Sequence, residues 1–334
     1  MKIGVVGYGY WGPNLVRNFL GIEGVSGVSI ADLNPKRLKI ASMRHSGCFL
    51  TTNYDDLLKD ADIEAIAIST PVDSHYVLAK QALLAGKHVL VEKPLASSVS
   101  QARELWELAL KKNRTLMVDH TFVYTGAVRK IKEIISGGTI GDPIYYDSAR
   151  VNLGLFQHDV NVIWDLAPHD ISIIDFLFDL NEAEVSALGS CYKSMNEAIS
   201  YVTIYLDNGL IAHLNVSWLS PVKVRTVMIG GTDKMIVYND VEPTEKVKIY
   251  DRGVDLIDDQ EELYKIWWQY RVGDIYVPKI DHTEALYFEL KHFIDCISNN
   301  KLPLTNGECG CRVVAILEAA SQSLQSGNKV RVKF

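Results

Sequence analysis

No run of apolar residues in this 334-residue chain is long enough to span a bilayer, and the first, Ile3 to Val6, is too short for a secretory signal. Basic residues are scarce: 34 Lys and Arg face 41 Asp and Glu, a net charge of −7, with no strongly basic stretch. That balance offers no electrostatic footprint for nucleic acid, and the hydropathy offers none for a membrane partner. The five cysteines (Cys48, Cys191, Cys296, Cys309, Cys311) are odd in number and scattered. Without a secretory signal they fit a reduced, cytoplasmic compartment. Cys309-Gly310-Cys311 lacks the usual metal-ligand spacing, so the thiols read as small apolar groups and no metal is expected. Internal repeats and low-complexity segments are missing too. What is present is 48% apolar and 22% charged, an ordinary globular composition, at a length that favours two domains.

The first 120 residues alternate strand and helix patterns. Ile3-Gly4-Val5-Val6 reads as a strand, Gly7-Tyr8-Gly9-Tyr10-Trp11-Gly12 as a turn, and Leu15, Val16 and Phe19 as the start of a helix. That is the context a dinucleotide fingerprint demands. Gly7 permits the tight turn, Gly9 lets the backbone approach a pyrophosphate, and Gly12 lets helix and strand pack closely. The phosphates would rest on the helix amino terminus, beside Tyr10 and Trp11. A second strand, Val28 to Asp32, ends in an acid twenty residues after Gly12. Asp32 suits a ribose diol and repels a 2′-phosphate, which favours NAD over NADP; Arg37 nearby keeps NADP open.

Further strands at Phe49-Leu50, Glu64–Ser69, His88–Glu92 and Thr115–Val118, with helices between, predict a doubly wound parallel sheet of order 3-2-1-4-5-6. Three loops then meet at one rim: the glycine turn, Thr70-Pro71 with His75, and Glu92-Lys93-Pro94. His75 reads equally well as a cofactor group or as a helix-terminal surface residue. Lys93 stands at the carboxyl end of a strand, where open sheets bind ligands.

The remainder, 121–334, reads as a substrate-binding and oligomerisation domain of α+β type. Apolar spacing predicts a helix over Phe122–Ile135, ended by Gly137-Gly138, and a strand over Ile144–Val151. Trp164-Asp165-Leu166-Ala167-Pro168-His169-Asp170 opens another helix. A proline belongs in a first turn, so the spacing predicts Asp165 at or near the cap and His169 one turn later on the same face. There a carboxylate and an imidazole could reach one hydroxyl, with the helix dipole keeping the imidazole neutral; alternatively the aspartate only caps and the histidine is a buried polar residue. From Val185 to Tyr250, short β-branched runs and turns predict a large, mostly antiparallel open sheet. If its second face is apolar, another subunit would cover it, giving a homodimer or homotetramer. Tyr264 to Ile280, aromatic and charged, reads as either a lid or an interface segment. His282–Ile297 and Arg312–Leu324 read as helices before a closing strand, Val330–Phe334.

Gly7-x-Gly9-x-x-Gly12, Thr70-Pro71, Glu92-Lys93-Pro94 and Asp165-x-x-x-His169 together resemble the glucose–fructose oxidoreductase/inositol dehydrogenase (Gfo/Idh/MocA) family, over essentially the whole chain. The resemblance implies an NAD-dependent dehydrogenase acting on a CH–OH donor. It implies that Lys93 contacts nicotinamide ribose and substrate, that its Lys-Pro peptide is often cis, that His169 is the acid/base, and that Asp165 is its substrate-binding partner. Lys93 and His169 could share the proton-accepting role. Arg150-Val151-Asn152-Leu153-Gly154, Trp164–Asp170 and Val272–Ile275 look like the branch that oxidises the 3-hydroxyl of UDP-N-acetylglucosamine or a relative. In that reading His120, Arg150, Asp165 and His169 join Lys93 at the substrate, with Arg150 or Arg271 on a diphosphate unless each is only a structural ion-pair arginine. A free sugar or inositol is the second substrate class. A ligand-sensing regulator or a redox-assisted glycosidase would share the architecture.

Overall fold

The computed structural model describes residues 1–154, 160–193, 196–257 and 267–334. Contacts divide the chain into two compact units: Met1–Thr125 with Thr283–Glu318 and Phe334, and Gly126–His282 with Ala319–Lys333. The sequence reading assigns everything after residue 120 to one domain. The contacts instead return Thr283–Glu318 to the first unit, for a reason visible at its sheet edge. Val118 N–H donates to the Thr305 carbonyl (2.8 Å), Thr305 Oγ1 donates back to Val118 O (2.7 Å), and Met117 bridges Asn306. An edge strand left open would expose unpaired backbone groups, and this segment covers them.

The first unit alternates strictly: β1 (Lys2–Val6), α1 (Gly12–Leu20), β2 (Gly27–Ala31), α2 (Pro35–Arg44), β3 (Phe49–Thr51), α3 (Tyr54–Lys59), β4 (Ile63–Ile68), α4 (Val72–Leu84), β5 (His88–Glu92), α5 (Val99–Lys112) and β6 (Leu116–Asp119). All six strands are parallel in the order β3-β2-β1-β4-β5-β6. Ile3, Val5, Ile30, Ile66, Val89 and Met117 are fully buried, as parallel strands require. Asn34, Asn53 and Ser98 cap α2, α3 and α5 with side-chain oxygens, satisfying amide groups that a helix start leaves unpaired. The helix expected over Phe122–Ile135 is interrupted: a 3-10 turn spans Thr121–Tyr124, and α6 (Gly126–Ser136) starts afresh. Gly126 is required there, because a side chain would run into the Asp281 carbonyl.

The second unit contains α6, β7 (Pro143–Leu153), α7 (Val162–Phe178), β8 (Glu182–Cys191), β9 (Glu197–Leu206), β10 (Ile211–Ser217), β11 (Leu219–Gly231), β12 (Met235–Asn239), β13 (Val247–Ile257) and β14 (Trp267–Tyr276). Then come α8 (Ala285–Ser298), which belongs to the first unit, α9 (Gly307–Ser326), and β15 (Val330–Lys333), which returns to the second sheet. That sheet has the order β14-β13-β12-β11-β7-β10-β9-β8-β15 and is antiparallel except where β7 meets β10. It extends beyond the Val185–Tyr250 stretch expected, taking in β7, β14 and β15. α7 packs on β7, β9 and β10. Along β9, Ala198, Val202, Ile204 and Leu206 are buried while Tyr201 is exposed. The described part of Tyr264–Ile280 includes no separate lid: Trp267–Tyr276 is the outermost strand, paired with β13, and 264–266 lie outside the described residues. No described helix is long and apolar enough to cross a membrane.

Candidate functional site

At the carboxyl end of β1 the chain turns sharply through Gly7, whose φ of +93° few side-chain-bearing residues adopt. Gly7 N–H donates to Ala31 O (2.8 Å), and Ser69 Oγ donates to Gly7 O (2.9 Å), tying the turn to β2 and β4. Gly12 opens α1 hard against the Gly7 carbonyl, leaving no space for a β-carbon. Gly9 differs: the nearest heavy atom to a β-carbon there would be Arg37 Nη1, 3.8 Å away. This open side, beside the amino terminus of α1, is what a pyrophosphate needs, so the residues fit a dinucleotide. Asp32 is 7% exposed and accepts from Tyr8 N–H (2.6 Å) and Asn34 N–H (2.7 Å), with Arg37 3.5 Å away. Its carboxylate therefore ties the glycine turn to the start of the loop before α2. Tyr10 is exposed and stacks on Trp11, the cap residue of α1.

The neighbouring strand ends complete this rim. The Lys93-Pro94 peptide is cis. His75, 1% exposed, has Nδ1 2.9 Å from Pro94 O and Nε2 2.8 Å from Thr70 O. Both ring nitrogens thus lie against backbone carbonyls of the loops after β4 and β5, so His75 is no helix-terminal surface residue, and as a neutral ring it donates to one of the two carbonyls. Burial pushes its pKa down, and the two carbonyls oppose that shift. Thr70 Oγ1 pairs with Ser74 Oγ (2.7 Å), and Pro71 precedes α4. Glu92 and Lys93 are half-buried. His120 is fully buried, and neither of its ring nitrogens has a partner among the described residues. Burial, and then the Lys93 ammonium, hold its pKa down at about 3, so it is a neutral imidazole beside Lys93.

In the second unit, Asp165 and His169 lie four residues apart on α7, both half-buried. The helix begins a turn earlier than the spacing predicts. Asn161 is the cap, its side chain accepting from Trp164 N–H at 3.2 Å, so Pro168 sits inside the helix and Asp165 does not cap. The proline leaves the Trp164 carbonyl without its usual helical donor, a local cost that the buried packing of α7 offsets. His169 is then too far along for the helix dipole to act strongly on it, which removes that argument for a neutral base. Trp218 Nε1–H donates to Asp165 Oδ2 at 2.9 Å and sets its orientation.

Arg150, expected at the substrate, is 4% exposed, and its Nε donates to Asp170 Oδ2 at 2.7 Å while Tyr146 OH donates to Asp170 Oδ1 at 3.0 Å. An inward position on β7 facing α7 decides this, and the arginine is committed to the core. Arg271 is held by Asp251 (3.2 Å) and the Asp233 carbonyl. Sequence reasoning also missed Asp119, which accepts from Trp11 Nε1–H (2.7 Å) and Thr121 Oγ1–H (2.5 Å), and Trp218. For Asp119 a signal existed: an acid closing the strand next to Glu92. For Trp218 there was none.

Two family models cover most of the chain: an oxidoreductase-family NAD-binding Rossmann fold matches residues 1–120, and an oxidoreductase-family C-terminal alpha/beta domain matches residues 132–332. The chain is 25% identical to the UDP-N-acetylglucosamine 3-dehydrogenase of Acidithiobacillus ferrooxidans, over 94% of each chain. A solved structure of that enzyme superposes with a TM-score of 0.82 at 23% identity, covering 98% of both chains. The NAD-dependent scyllo-inositol 2-dehydrogenase of Bacillus subtilis is 24% identical over 83% of this chain and 80% of its own.

Proposed function

Because the chain belongs to the Gfo/Idh/MocA family of NAD-binding oxidoreductases, we propose that it oxidises a secondary alcohol of a sugar, with a UDP-linked amino sugar at its 3-hydroxyl as the first candidate. NAD supplies the hydride acceptor when bound. In this reading His169 takes the hydroxyl proton, the Lys93 ammonium steadies charge on the developing alkoxide, and Asp165, aligned by Trp218, orients a neighbouring hydroxyl. His120 offers the substrate a neutral, buried imidazole next to Lys93. The observation that carries the proposal is the rim of the first unit, where a glycine turn shaped for a dinucleotide follows β1 and a lysine follows β5 at the same edge of one parallel sheet.

The nucleotide-sugar class is supported by the relative that spans 94% of this chain. A free inositol or hexose is the second reading, favoured by the commitment of both Arg150 and Arg271 to carboxylates. We further propose that a second copy covers the open face of the large sheet, where Ile211 pairs in register with Tyr145 and both are exposed, as are Tyr201 and Met228.

One experiment tests these together. NAD is mixed with UDP-sugars, free hexoses or inositols, and absorbance of the reduced cofactor is followed, on samples whose mass light scattering has measured. Net reduction of NAD distinguishes a dehydrogenase from a sensor or a redox-assisted glycosidase. Lys93→Ala and His169→Ala should each lower kcat by about 10²–10⁴-fold. Activity equal to the parent in either variant refutes its assigned role, and a monomeric mass refutes the covered face.

A further inference from the structure

α8 carries one carboxylic acid into the interior of the cofactor unit. Glu289 has no exposed surface, and neither oxygen has a hydrogen bond of good geometry among the described residues. Its polar neighbours are the Asp119 and Glu92 carboxylates and the Thr121 hydroxyl. Glu92 and Asp119 are register partners at the carboxyl ends of β5 and β6, so three acids meet at the rim that carries Lys93. Tyr124 also faces Glu289; on α8 itself, His292 accepts from Leu304 N–H, and Glu284, just ahead of the helix, pairs with Arg17.

Like charges this close cannot all persist away from water, so a proton must reside on one of them. Asp119 already accepts two hydrogen bonds, from Trp11 and Thr121. Glu289 is the deeper group, and burial, then the Asp119 charge, hold its pKa well above the ordinary range. The acid on α8 is therefore the protonated one, with an O–H to give and the Asp119 carboxylate beside it to receive.

We propose that Glu289 is a positioning residue for cofactor binding: as a neutral acid it braces the Asp119 carboxylate against the Trp11 indole, and so fixes the amino terminus of α1 where the pyrophosphate lies. The link rests on the glycine turn being the NAD site. It gives Thr283–Glu318 a role in cofactor binding although none of its residues belongs to the fingerprint.

The test uses the full chain with Glu289→Gln, Glu289→Leu, Trp11→Phe and the Glu289→Leu/Trp11→Phe pair. NAD affinity is read by calorimetry. The Trp11 indole N–H is read by NMR in the cofactor-free protein and assigned by its loss in Trp11→Phe. Leucine should weaken NAD binding by about tenfold or more, the worth of a hydrogen bond to a charged group, and should shift the indole resonance. Glutamine, neutral and able to donate, should keep the resonance and leave affinity within about threefold. In the Trp11→Phe background, Glu289→Leu should add less than about twofold. Unchanged affinity and resonance in Glu289→Leu, glutamine as damaging as leucine, or full additivity in the pair would each overturn the proposal. If the leucine variant does not fold, the glutamine resonance decides alone: kept, it supports the brace; shifted, it refutes it. A parent that binds no NAD refutes the NAD site, while the resonance still reads the link from Glu289 to Trp11.

Discussion

The rim of the parallel sheet and the Asp165–His169 turn of α7 both present polar groups, but they are held in different ways. At the rim the backbone does the holding. Gly7 takes a conformation few other residues can, Gly12 sits where no side chain fits, and the carbonyls of Thr70 and Pro94 lock onto one imidazole. On α7 side chains do it: Asn161 sets the helix start, Trp218 aims Asp165, and the Arg150–Asp170 pair anchors the helix to β7. The glycine devices depend on residues close in sequence, so they tolerate little substitution and show in the sequence, whereas the imidazole reaches Pro94, 19 residues on. Side-chain devices draw on partners 20 or 53 residues away, and their effect on register appears only when the chain is folded.

Three variants or conditions probe that contrast. The largest effect is expected from Asp170→Ala, which strips a buried guanidinium of its carboxylate. Unfolding in denaturant should show a loss of about 3–5 kcal/mol, with NAD affinity unchanged in the folded fraction. A loss below about 1 kcal/mol would mean that α7 is not anchored there. Next is Gly12→Ala, where the new methyl must displace the Gly7 carbonyl. A shift of this kind near a ligand costs about 10²-fold, read as NAD affinity, with a smaller effect on melting temperature. Normal affinity would show that the rim yields more easily than its geometry implies. Taken over a single pH unit, the mildest is acidification. His120 has a folded pKa of about 3 against 6.5 in the open chain, so between those values the unfolded chain binds a proton that the folded chain does not. Stability should be full above pH 6.5 and fall as pH drops toward 3, with His120 contributing about 1.4 kcal/mol per pH unit. Unfolding at several pH values in the parent and in His120→Phe isolates that slope; identical slopes would place a charged imidazole in the fold.

Much of the first unit was legible because its constraints are local. The glycine turn, the acid ending β2 and the lysine ending β5 all lie where strand and helix periods alone put them, and the strand order follows from right-handed crossovers. What escaped was return traffic. Thr283–Glu318 covers the edge of β6 although no pattern in it names that strand. In the second unit, alternation announced the antiparallel sheet but not its outer strands. A first-turn rule for proline misplaced the start of α7, because buried packing allows Pro168 an interior position. The fates of Arg150 and Arg271 depended on which carboxylates folding brought beside them.

The amino-acid sequence by itself determined the cofactor scaffold: spacing, glycine and strand-end chemistry admit one parallel sheet and one phosphate-shaped turn, because those constraints act within a few residues. Only the tertiary structure decided which polar groups remain available. Burial took Arg150 into an ion pair and turned both ring nitrogens of His75 onto backbone, while leaving His120 a neutral imidazole beside Lys93 with no hydrogen-bond partner among the described residues. The physical reason is desolvation, whose cost depends on every neighbour at once and so on no short stretch of chain.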